Sequence, residues 1–120
     1  MDEEIMEMNK NWGLLSKWFE DSFGMESDSE SMLFMIGVQE LGQGVKEFHK
    51  TQKMELMHIA VCTILVADGY YEFSHLDADA WPHFESKKKL PSLKGEQQEE
   101  FIKKALINYF KPYFTTQTET

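Results

Sequence analysis

Between His75 and Glu85 the chain reads His-Leu-Asp-Ala-Asp-Ala-Trp-Pro-His-Phe-Glu, and five of these eleven residues carry a carboxylate or an imidazole. His75, Asp77, Asp79, His83 and Glu85 are therefore the candidate metal ligands. Neutral imidazole nitrogen and carboxylate oxygen suit zinc, manganese or iron. A divalent metal is possible on this donor set, and no other cofactor is predicted. The spacing fits none of the known ligand patterns. Trp81 and Pro82 stand where a calcium loop needs another oxygen ligand and a glycine, and there is no helical His-Glu-x-x-His. The competing reading is a polar loop in which Asp77 or Asp79 caps a turn and His83 bonds the backbone. Motif matches this loose have a high false-positive rate, which favours the loop.

Aromatic residues crowd the same stretch. Tyr70, Tyr71, Trp81 and Phe84, with His58, are candidates to line a pocket for a small apolar ligand, although rings in such a run more often cap a core. His58 falls within an apolar segment and reads first as a core histidine. Beside Asp68 or His83 it could serve as a general base. Cys62 is the only cysteine. That excludes an intrachain disulfide and a cysteine-based zinc cluster. Its apolar neighbours Ile59, Val61, Ile64 and Leu65 make it a buried hydrophobe rather than a nucleophile. No hydrolase elbow, phosphate loop or dinucleotide fingerprint occurs, since no Lys-Ser/Thr follows Gly37, Gly42 and Gly44.

The elements that must hold these residues read as helices. Ile5, Met8, Trp12, Leu15 and Phe19 recur at three- and four-residue spacing and predict a helix from about Glu3 to Phe23, with Gly24 as its stop. After the polar stretch 26–31, with Asp28 or Ser29 as N-cap, Met32 to Leu41 is apolar on almost every side, as in a helix buried all round. Gly42 and Gly44 end it. Val45 to Lys50 is expected as a short helix with Thr51 as the next N-cap, followed by a central helix from Met54 to Ala67. The rival is a β-hairpin over about 59–73, turning at Asp68-Gly69. The run lacks two-residue alternation, which favours helix. Residues 70–94, interrupted by Pro82 and Pro91, are expected as a long irregular aromatic loop, in which Tyr70 to Phe73 could be a short strand. Glu96 to Phe110 predicts the last helix, limited by Pro112.

The expected fold is thus all-α: a compact bundle of four to five helices with a long aromatic loop between the third and fourth main helices. The alternative is α+β with the hairpin at about 59–73. One helical domain is expected over 1–114, with a frayed polar tail over 115–120. The step Val66-Ala67-Asp68-Gly69, an apolar helix running into Ala-Asp-Gly, resembles tellurite-resistance helical domains over about ten residues. That resemblance implies a helical fold. Tyr70-Tyr71 stand where such domains start an acidic helix, and no function is carried over.

The chain has 120 residues and a net charge of −9, and all twelve of its cations are lysine. Arginine is the preferred residue for gripping phosphate and guanine, and an acidic chain is repelled by polyanions. Nucleic acid and membrane are therefore not expected partners. No apolar run approaches the roughly 20 residues that cross a bilayer, and the acidic start lacks the pattern of a secretory signal. A cytoplasmic location is expected. Eight methionines, nine phenylalanines and three tryptophans offer more apolar surface than four helices readily cover. The leading functional expectation is a non-enzymatic helical module for protein association, with a second copy as partner, through Trp12, Trp18, Phe19, Met32 and Met35. The alternatives are a metal-binding domain or metal-dependent enzyme at residues 75–85, and a bundle binding a small apolar ligand.

Overall fold

Asp2 opens the first helix by accepting the Glu4 N–H at 2.9 Å, and Glu3 and Glu4 follow in its first turn, where the helix dipole favours acids. This helix, α1, spans Glu3–Phe23 and closes on Gly24, whose left-handed φ of 64° lets its N–H reach the Glu20 carbonyl. The structure, a computed structural model, describes residues 2–44 and 46–118. It contains α1, α2 (Ser29–Leu41), α3 (Lys50–Ile64), β1 (Tyr71–Leu76), β2 (Pro82–Ser86) and α4 (Glu96–Thr118). Asp28 caps α2 by accepting the Ser31 N–H at 2.7 Å. None of the described helices is long and apolar enough to cross a membrane.

The expected all-α bundle is replaced by an α+β fold, because β1 and β2 form a two-stranded antiparallel hairpin. The strands occupy the segment expected as an aromatic loop. The alternative hairpin at about 59–73 fails as well, since residues 59–64 belong to α3 and the turn lies at residues 77–81. Its register pairs Tyr71 with Ser86, Glu72 with Glu85 and Phe73 with Phe84. Past Ser74 it shifts by one residue, pairing His75 with His83 and Leu76 with Pro82. Aromatic side chains with high strand propensity drive the pairing; Phe73 and Phe84 meet edge to face at 6.0 Å. The turn contains no glycine. Ala80 takes the left-handed conformation instead, at φ 66°, and donates its N–H to the Asp77 carbonyl at 2.9 Å. A β-carbon there costs about 1–2 kcal/mol. Ala80→Gly is therefore expected to stabilise the hairpin by roughly 0.5–1 kcal/mol, after the greater chain entropy of glycine is deducted. A thermal midpoint unchanged or lowered by that substitution would show the turn to be unstrained.

The helix expected over 45–50 falls partly on Val45, outside the described residues; 46–49 are not helical. α3 instead starts at Lys50, and the His49 N–H donates to the Gln52 side chain at 3.1 Å. At the other end of the chain α4 continues through Pro112 to Thr118. Proline removes one intrahelical N–H, yet Phe114 beyond it is 1% exposed, and that burial holds the last turns in helical register. The frayed tail expected over 115–120 lies partly outside the described residues.

The chain divides into two compact units, one of residues 2–31 and 93–118 and one of residues 32–92. In the first, α1 packs on α4. Leu15 and Phe19 of α1 and Leu106, Phe110 and Phe114 of α4 are all fully or almost fully buried, and the rings of Phe19 and Phe110 lie 6.3 Å apart. Trp18 adds ring contacts to Phe23, Phe110 and Tyr113 at 5.5–5.8 Å. In the second unit, Val38 and Leu41 of α2 close on Phe48 and Leu56, with Phe34 and Trp81 packed against them. Gly37 is buried where α2 crosses the backbone of α3 at Leu56. Trp81 thus ties the hairpin turn to the core of its own unit, and that fixes where the hairpin lies against α3.

Candidate functional site

α3 and the turn end of the hairpin enclose an open cleft of about 530 Å³ within the second unit. From α3 come Thr51, Met54, Glu55, His58 and Ile59, and from the hairpin Asp77, Trp81, Pro82, His83 and Phe84. The α3 residues share one face because 51, 54, 55 and 58 follow helical spacing. The opposite face of α3 buries Leu56 and Ala60. His58 is accordingly exposed, not the core histidine its neighbours suggest. Met54 at the rim is 65% exposed.

Asp77 organises the hairpin end. Its Oδ1 accepts the N–H of Asp79 at 2.9 Å and that of Trp81 at 3.1 Å. Its Oδ2 lies 2.9 Å from His83 Nε2, which must donate to a carboxylate. The His83 bond, reinforced by the Trp81 and Asp79 N–H groups, holds the Asp77 carboxyl below its ordinary value. In the neutral imidazole, with Nε2 donating, Nδ1 is left as an acceptor. His75 stacks flat on His83, at 4.9 Å between centroids and 4° between planes, and Ser74 Oγ lies 2.9 Å from His75 Nδ1. The turn is further tied down by Gln43, whose side chain donates to the Asp79 carbonyl at 3.1 Å.

The candidate metal ligands are only partly brought together. His75, Asp77 and His83 meet, but Asp77 spends both oxygens on the turn and on His83. Asp79 contributes backbone groups. Glu85 pairs across the hairpin with Glu72, and Lys87 lies between the two at 3.5 and 3.8 Å. Among the described residues, no three His, Cys, Asp or Glu side chains are placed to hold a metal ion. What the sequence offers as a donor set is, in this arrangement, a turn cap and a cross-strand histidine stack.

Of the candidate pocket residues, His58, Trp81 and Phe84 line the cleft. Tyr70 and Tyr71 do not: Tyr70 lies under Lys88, whose Nζ is 4.4 Å from the ring centre, and Tyr71 pairs with Ser86. Asp68 also lies outside the lining, so of the two partners considered for His58 only His83 shares its cleft. Cys62 Sγ is 3.6 Å from His58 Nε2. That pair is not a nucleophilic couple, because the cysteine is buried and burial pushes its thiol up to about 11.

The candidate association residues mostly serve the chain's own packing. Phe19 and Met32 have no exposed surface, which corrects their reading as contacts for a partner. Trp18 stands in the aromatic cluster of α1 and α4, and Trp12 is half-buried with Lys103 Nζ 4.9 Å from its ring centre. Met35 is half-buried. Sequence reasoning missed Thr51, Met54 and Glu55. Their signal was present, as a mixed stripe at three- and four-residue spacing through His58. No protein-family model, curated protein or solved structure matches this chain.

Proposed function

We propose that the protein works as an association module, and that the cleft between α3 and the hairpin receives a basic, partly apolar segment of a protein partner. The observation that carries this reading is the make-up of the cleft. Met54, Ile59, Trp81, Pro82 and Phe84 supply apolar and aromatic surface, Glu55 supplies a carboxylate with no ion pair among the described residues, and the described lining residues include no lysine. A carboxylate beside aromatic faces suits a side chain that is cationic at its tip and apolar along its stem. An open trough fits a segment laid across it better than a small molecule, which is usually enclosed over most of its surface. The fixed turn, held by Asp77, Gln43 and Trp81, reduces the ordering that binding would require.

The test is a fluorescence titration with an acetylated peptide of alternating lysine and leucine. Saturable binding is expected, weakening with salt as screening rises. Glu55→Lys should reduce the affinity about tenfold or more, equivalent to roughly 1.4 kcal/mol. A peptide of alternating glutamate and leucine should not bind. Equal affinity for the two peptides, or indifference to Glu55→Lys, would sink the proposal.

A further inference from the structure

The cleft calls for a basic and partly apolar occupant, and the chain displays such a segment elsewhere. Beyond β2, residues 87–92 read Lys-Lys-Lys-Leu-Pro-Ser and form neither helix nor strand. Lys87 is engaged by Glu72 and Glu85, and Lys88 by the ring of Tyr70. Lys89 enters no ion pair among the described residues and is exposed, Leu90 is 38% exposed, and Pro91 is exposed. Proline also biases the residue before it toward an extended backbone. Lys89, Leu90 and Pro91 thus present to solvent, in order, an ammonium, a branched apolar side chain and a rigid ring.

We propose that the occupant of the cleft is a second copy of this chain, with Lys89-Leu90-Pro91 of each protomer entering the cleft of the other. The proposal rests on the reading of the cleft given above. Lys89 would meet Glu55, and Leu90 would lie against Trp81 and Phe84. A two-fold dimer satisfies both halves at once, since each protomer gives and receives the same segment. The hairpin is built for such an exchange. The cleft lies at its turn end, and Lys89-Pro91 leaves from the opposite end. The five residues of β2 hold the two apart by about 17 Å, at roughly 3.3 Å per residue. The segment is thereby kept from its own cleft, whereas two hairpins running antiparallel side by side would bring each segment to the other's turn. The net charge of −9 on each chain repels at long range, but at physiological ionic strength the Debye length is only about 8 Å, and direct ammonium–carboxylate contacts survive it.

Sedimentation equilibrium of the full chain tests this at concentrations up to about 100 μM, enough to populate a micromolar dimer. The wild type is expected to be dimeric. Lys89→Glu and Glu55→Lys should each weaken dimerisation about tenfold or more, and the double variant, with the charges exchanged, should recover it. Leu90→Asp supplies an independent loss on the apolar contact, and circular dichroism confirms that each variant is folded. A monomeric wild type that still binds the lysine–leucine peptide overturns the second copy as partner and leaves the cleft reading standing. A monomer that binds no peptide overturns both. A dimer indifferent to Lys89→Glu and Glu55→Lys, or one lost on replacing Trp12 and Trp18 by alanine in their place, puts the interface elsewhere and overturns the proposal.

Discussion

Gly37→Ala is expected to destabilise the second unit by about 2–3 kcal/mol, although alanine is the better helix former. A β-carbon at residue 37 would collide with the Leu56 carbonyl oxygen and lie 2.9 Å from its carbonyl carbon and 3.0 Å from its Cβ. All three atoms belong to or adjoin the backbone of α3, so no rotamer change relieves the clash; the helices must part. Forcing extra volume into a filled contact costs typically 1–3 kcal/mol, occasionally more, while the propensity gain of alanine over glycine is at most about 1 kcal/mol. The parting would also loosen Val38, Leu41 and Leu56, and with them the seat of Trp81. Gly13 is the internal control, because a β-carbon there meets nothing within 4 Å. Gly13→Ala should stabilise α1 by up to about 1 kcal/mol. Urea midpoints of the two variants read the difference directly. Equal shifts in the two would show that α2 and α3 are not held at backbone contact.

The second large effect is expected at Phe19. Phe19→Ala should cost about 3–5 kcal/mol, the usual range for deleting a buried phenylalanine ring. Phe19 has no exposed surface, and its ring centre lies 4.9 Å from that of Phe23 and 6.3 Å from that of Phe110. Few atoms nearby are free to collapse into the space, since Leu15, Leu106 and Phe114 are themselves fixed in the interior. A residue that served a partner would behave differently, because its loss would lower the oligomer mass and leave the urea midpoint of the monomer almost unmoved. Denaturation and sedimentation on the same sample separate the two. A stable, dissociated variant would return Phe19 to the surface role its helix position suggests.

The helices were largely legible, and the reason is periodicity. The three- and four-residue spacing from Ile5 to Phe19 defined α1, and the all-round apolar stretch from Met32 to Leu41 marked α2 as buried. The hairpin was hidden because its turn lacks the usual sign. Asp77-Ala78-Asp79-Ala80 contains no glycine, and the left-handed position falls on Ala80, where strain rather than residue type supplies the turn. The Asp68-Gly69 pair, which does carry that sign, merely closes the stretch after α3. The site was half legible. His58, Asp77, Trp81, His83 and Phe84 stood out by residue type, but as two separate constellations, one for a metal and one for an apolar ligand. Only strand register and the seating of Trp81 bring them to a single cleft with Glu55. Pro112 misled for a related reason, since burial of Phe114 outweighs a broken local rule.

The shift of register at Ser74 splits the hairpin into two halves with separate phases. Between Tyr71 and Phe73, paired positions sum to 157; from His75 onward they sum to 158. Were the same residues paired without the bulge, His75 would face Pro82 and Ser74 would face His83, and the imidazole stack would not exist. The half carrying Glu72, Glu85 and the root of the lysine segment would keep its partners unchanged. The bulge therefore works as a phase offset: it sets which residues meet at the cleft end while the far end stays in step.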